Sequence, residues 1–164
     1  MSLSETLQQD MKSAMRDGDT LRRDTLRMVI AAVQNSAKAK QAPLSDAETT
    51  DVIGKEVKKR RESIEAYQQA GREDLAAQEQ AEIEVLAPYL PEQMSEDEVS
   101  KLVQEAVAQS GATSARDMGK VMGLLMPKVK GRADGKLVSG LVAQELAKAD
   151  LATHDDDDHP TAEG

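Results

Sequence analysis

Ser95-Glu96-Asp97-Glu98-Val99-Ser100-Lys101-Leu102-Val103-Gln104-Glu105-Ala106-Val107 decides how this chain folds. A serine followed three residues later by glutamate is the pattern of a capping box. Apolar residues then fall at Val99, Leu102, Val103, Ala106 and Val107. That is the i, i+3, i+4, i+7, i+8 spacing of one helical face, and it lacks the period-two alternation of a half-buried strand. Ser110-Gly111 breaks the segment.

The same grammar continues outward in both directions. Towards the C-terminus, Ser114 caps a helix with Met118, Val121, Met122 and Leu125 on one face, expected to end at Met126-Pro127. Lys128 to Arg132 reads as a basic loop. Asp134 starts a last helix carrying Leu137, Val138, Leu141, Val142 and Leu146. Periodicity is lost after Ala149, and the acidic residues 151–164 are expected to be disordered. Towards the N-terminus, Pro88-Tyr89-Leu90-Pro91 stops the preceding helix, because proline lacks the amide donor and restricts its predecessor. Four helices precede it. The first carries Leu3, Leu7, Met11 and Ala14. The second, capped by Asp19, carries Leu21, Leu26, Met28, Val29, Ile30 and Val33. A second capping box, Ser45-Asp46-Ala47-Glu48, opens a long third helix through Ile53, Val57, Ile64 and Tyr67. The fourth spans Arg72 to Leu86. The expected architecture is all-α: an N-terminal helical bundle with a long helix over residues 1–93, a C-terminal three-helix domain over 94–150, and the tail.

Composition agrees. The chain has two Tyr, no Phe and no Trp, so its core must be aliphatic and Met-rich, and residues that suit a pleated sheet are sparse. It has no Cys, which removes disulfides, thiolate metal sites and a Cys nucleophile. No apolar run approaches the ~20 residues that span a bilayer, and Met1 to Met15 has no signal-peptide character. These features predict a cytoplasmic protein with no membrane partner.

The net charge of −9 conceals strong segregation. Six acids lie in residues 150–164, leaving a body of −3. Residues 12–61 hold twelve bases and seven acids, whereas 62–98 hold eleven acids and one base, Arg72. Residues 116–136 hold six bases, Arg116, Lys120, Lys128, Lys130, Arg132 and Lys136, against two acids. Glycines 119, 123, 131 and 135 are interleaved, so a nucleic-acid backbone can come close. Cations at this density neutralise phosphates, and the start of the last helix adds backbone amides. With no aromatic residue there for base stacking, recognition would rest on RNA shape and backbone, with no DNA specificity. The plainer reading of the same residues is a solubilising basic face around a tight turn.

Other constellations carry less. Lys58-Lys59-Arg60-Arg61 reads as an exposed helix laced by Glu56, Glu62 and Glu65 at i,i+4 spacing. Met118, Met122 and Met126 fall at i, i+4 and i+8 and read as core packing more readily than as a docking groove. Both histidines sit in the tail, His154 and His159, flanking four aspartates; this is a self-repelling acidic segment before it is a metal site. With no His in the body, a Ser–His pair is unavailable. Gly131-Arg132-Ala133-Asp134-Gly135-Lys136-Leu137 lacks the spacing of a phosphate loop. No catalytic residue, cofactor or metal is assigned.

Met118-Gly119-Lys120-Val121-Met122-Gly123-Leu124-Leu125-Met126-Pro127-Lys128-Val129-Lys130-Gly131-Arg132-Ala133-Asp134-Gly135-Lys136-Leu137-Val138 strongly resembles the C-terminal signature of the YqeY family. Arg23-Asp24-Thr25-Leu26-Arg27-Met28, Glu62-Ser63-Ile64-Glu65-Ala66-Tyr67 and Leu86-Ala87-Pro88-Tyr89-Leu90-Pro91 resemble its N-terminal signatures. The match spans nearly all of residues 1–150. The resemblance implies a two-part helical architecture similar to the GatB tail, the part of aspartyl/glutamyl-tRNA amidotransferase that helps hold the tRNA. It also implies carbon–nitrogen ligase activity with glutamine as amido donor, although the residues here do not support that catalysis independently. Three readings follow: a tRNA-binding accessory module using the six cations, an enzyme or enzyme component of tRNA-dependent amidation working with a protein partner, and a protein-interaction bundle using the acidic 62–98 face.

Overall fold

The computed structural model describes residues 1–157. These form seven α-helices, with no strand among the described residues. They divide into two compact units, Met1–Pro91 and a second beginning at Glu92.

The first unit contains α1 (Leu3–Asp17), α2 (Thr20–Lys40), α3 (Asp46–Gln69) and α4 (Glu73–Leu86), followed by a 3₁₀ turn, Ala87–Tyr89. Local chemistry sets the helix starts. Ser2, Asp19 and Ser45 each accept a hydrogen bond from an amide three residues on. At Ser45 the Glu48 carboxylate returns the bond, completing the capping box. The α1–α2 corner needs Gly18, whose φ of 72° lies in the left-handed region. Leu7, Leu26, Val29, Ile53, Val57 and Leu86 form the core of the unit, each all but inaccessible to solvent.

One feature of this unit departs from expectation. The 58–61 run is not uniformly solvated: Arg60 is 4% exposed. Positions 53, 57 and 60 share the inner face of α3, so the guanidinium points inward and meets Glu56 at 3.1 Å and Glu82 of α4 at 3.0 Å. The expected Glu56–Arg60 pair forms, but it is buried.

The second unit contains α5 (Glu96–Ser110), a 3₁₀ turn (Ala115–Asp117), α6 (Met118–Val129) and α7 (Gly135–Asp157). Ser95 accepts from the Glu98 amide at 3.2 Å, and Gly111 closes α5 at φ 69°. Val99, Val103, Val121, Leu125, Val138 and Val142 form the core, with Met118 and Met122 packed against it. Met126 departs from that methionine stripe and is exposed.

Two helix ends differ from the sequence reading. Helix α6 does not stop at Met126-Pro127 but runs to Val129. Val129 is 1% exposed, and its burial holds the last turn, while the Lys130 amide bonds the Met126 carbonyl at 2.9 Å. Lys128 is therefore helical and not part of a loop. Helix α7 runs to Asp157, beyond the stop expected after Ala149, because Ala149-Asp150-Leu151-Ala152 contains no Gly or Pro to end it. The rest of the tail expected to be disordered, residues 158–164, lies outside the described residues and includes His159.

Candidate nucleic-acid interface

The basic segment is organised around one turn. Lys130 has φ −57° and ψ 125°, and Gly131 has φ 75°. The Arg132 amide bonds the Val129 carbonyl at 2.9 Å. This is a type II β-turn with Lys130 and Gly131 at its corner, and the positive φ at its third position is why glycine stands there. Lys128 in the last turn of α6, Lys130 and Arg132 in the turn, and Lys136 in the first turn of α7 are brought to one end of the α6–α7 pair. The α6 C-terminus is a favourable place for Lys128, since the helix dipole is negative there.

Arg116 and Lys120 belong to the other end of α6, in the 3₁₀ turn and the first helical turn. Eight residues separate Lys120 from Lys128, about 12 Å along a helix axis. The six cations thus form two groups, one at each end of α6, instead of a single cluster.

Arg116, Lys120, Lys128, Lys130 and Lys136 are exposed, and Arg132 is half-buried. Among the described residues, no carboxylate forms a salt bridge with Arg116, Lys120, Lys128, Lys130 or Arg132. The two acids of the segment have local tasks. Asp117 accepts from the Thr113 amide at 2.9 Å and the Ser114 amide at 3.4 Å. The Thr113 bond foremost holds its carboxyl below the usual range, with the nearby Lys120 charge a smaller contribution. Asp134 accepts from the Lys136 amide at 3.3 Å. This carboxylate occupies the start of α7, so the amides there are not the open anion cradle that the sequence suggested.

Sequence reasoning missed what holds the turn. Arg132 directs Nε to the Glu92 carbonyl at 3.2 Å, the Gln93 side-chain amide donates to the Gly131 carbonyl at 3.0 Å, and the Met94 amide donates to the Arg132 carbonyl at 2.8 Å. Residues 92–94 carry no periodic signal, and their partners lie about 40 positions away, so no local pattern announces them.

The first unit offers a different surface. An open cleft of about 470 Å³ is lined by Leu21, Arg22, Val85, Pro88 and Tyr89, among others. Beside it, the Tyr89 hydroxyl donates to Asp10 at 2.5 Å and Arg22 lies 3.8 Å from the same carboxylate oxygen. Burial, foremost, and the Asp10 bond push the Tyr89 hydroxyl pKa up.

Comparison with known proteins places the chain. The family model described as Yqey-like protein matches residues 4–146. A protein of Pyrenophora tritici-repentis named altered inheritance of mitochondria protein 41, mitochondrial, is 36% identical over 146 residues, covering 87% of this chain and 80% of that one. Its namesake in Eremothecium gossypii is 34% identical over 85 residues, 51% of this chain and 46% of that one. A component of the glutamyl-tRNA(Gln) amidotransferase of Thermococcus gammatolerans is 44% identical over 57 residues, 32% of this chain and 9% of that protein. The mitochondrial names of the Pyrenophora and Eremothecium relatives overturn the cytoplasmic location expected from the sequence. Helical architecture, family match and amidotransferase-related segment converge on one statement: the chain belongs to the YqeY-like family.

Proposed function

We propose that the second unit is a tRNA-binding module that grips phosphates through Lys128, Lys130, Arg132 and Lys136, with Arg116 and Lys120 extending the contact along α6. The observation that carries this reading is the pair Lys128 and Lys130, exposed at the end of α6 and at the corner of the turn that follows it, with no carboxylate partner among the described residues. A lysine in that state gives up little to meet a phosphate, and each phosphate neutralised releases counterions. Support for tRNA as the polyanion comes from the likeness to a protein named for glutamyl-tRNA(Gln) amidotransferase. Lysine ammonium groups are point charges rather than planar forks, so the contact reads backbone and shape, not base edges.

In this reading the module holds tRNA for a reaction performed by a partner chain, and carbon–nitrogen ligation belongs to that partner. The test is tRNA binding by the full chain at two salt concentrations. Affinity should fall steeply as salt rises; salt-independent binding, or none at low salt, would defeat the proposal.

A further inference from the structure

The turn that presents Lys130 is exposed, contains a glycine, and would be free to change shape if nothing held it. Beyond the bonds from the Arg132 and Ala133 amides to the Val129 carbonyl within the turn itself, three successive residues hold it from outside. Glu92, Gln93 and Met94 each make a hydrogen bond to the segment Gly131–Arg132, at 3.2, 3.0 and 2.8 Å. Together they fix the carbonyls of Gly131 and Arg132 and the root of the Arg132 guanidinium. Met94 is anchored in turn by packing against the core. Gln93 differs from it: its residue is exposed, and its side-chain amide reaches 38 positions along the chain to the Gly131 backbone oxygen.

We propose that Gln93 is a positioning residue for the basic turn, holding the Lys130-Gly131 corner in the shape that meets a phosphodiester backbone. This rests on the RNA-binding reading and deepens it. Gln93 itself makes no phosphate contact. Its bond orders the turn before RNA arrives, so the ordering is not charged to binding. Arg132 is shared between the two tasks: Nε is committed to the Glu92 carbonyl, and the remaining guanidinium donors are available to a phosphate.

Shape and charge are separated by two kinds of variant. Gln93→Met keeps the length of the side chain and removes its donor; Gln93→Ala serves as a second variant. Each is compared with the wild-type chain and with Lys128→Ala/Lys130→Ala for tRNA affinity across salt, thermal midpoint, and amide exchange at Met94 and Arg132. Loss of one ordering contact should weaken tRNA binding about three- to tenfold. The salt slope and thermal midpoint should stay at wild-type values, with exchange at Met94 and Arg132 accelerated. The lysine variant should instead flatten the slope. Wild-type affinity in both Gln93 variants, beside a weakened lysine variant, would overturn the positioning role and leave the RNA reading standing. A lysine variant that binds as the wild type does would remove the RNA reading and the positioning role together.

Discussion

The Arg60 guanidinium of α3 lies 3.0 Å from the Glu82 carboxylate of α4, and both side chains are largely withdrawn from water, at 4% and 15% exposure. Arg60 also bonds the Glu56 carboxylate at 3.1 Å and the Glu56 carbonyl at 2.9 Å. One cation therefore serves two helices in the interior of the first unit. A buried charge is tolerated only when paired and hydrogen-bonded, and removing one partner leaves the other stranded.

Arg60→Leu is accordingly expected to destabilise the first unit by about 3–5 kcal/mol, because Glu82 would lose the Arg60 cation and Glu56 would keep only the exposed Lys59, 3.3 Å away. Urea denaturation of the full chain measures it. A loss below about 1 kcal/mol, the range of an exposed pair, would show that the guanidinium is not buried as described.

Tyr89→Phe should cost about 1.5–3 kcal/mol, the usual range for a hydrogen bond to a charged group, with partial exposure of the cleft favouring the lower end. Asp10 would keep only the longer 3.8 Å contact with Arg22. The change is expected to leave tRNA binding intact, since the phenol belongs to the first unit. Thermal melting and a binding titration check the two halves of this statement.

The Glu48 carboxyl is held down to about 2, first by the Lys40 ammonium at 2.6 Å and then by the Ser45 amide and hydroxyl. A depressed carboxyl pKa stabilises the fold at pH above the ordinary carboxylate value, and the contribution disappears as pH falls towards 2. An NMR titration of the Glu48 carboxyl should find its midpoint near 2, moving up in Lys40→Ala. A midpoint at the usual glutamate value in the wild-type chain would contradict the contact that ties the end of α2 to the start of α3.

How far the sequence announced this architecture depended on distance along the chain. Helix starts were legible because caps are local: Ser45 with Glu48, and Ser95 with the Glu98 amide, sit three residues apart. Turns were legible where glycine takes a left-handed conformation, as at Gly18 and Gly111. The end of α6 was not, because burial of Val129 outweighs the proline two residues before it. Arg60 was misread for a related reason: inside Lys58-Lys59-Arg60-Arg61 it looks solvated, and only Glu82, 22 positions on, reveals its burial. At the basic segment, the density of cations was plain, but the carboxylate at the start of α7 and the strap at 92–94 emerge only from the folded turn.

The helical course of α7 bears on the acidic tail. Lys136 and Asp155 are 19 residues apart on one helix, about 28 Å along its axis. That exceeds the screening length of about 8 Å at physiological salt. Asp155→Asn is therefore expected to change tRNA affinity less than about twofold at that ionic strength, with a larger gain only in dilute buffer. A tenfold gain at physiological salt would contradict that separation.

The central claim is that Lys128 and Lys130 meet phosphates. Its most direct test is the dependence of log affinity for tRNA on log salt, compared between the wild-type chain and Lys128→Ala/Lys130→Ala. Each lost phosphate contact should reduce the magnitude of the slope by about one, so the double variant should fall short of wild type by about two. Superimposable slopes would contradict the account, whatever the two affinities.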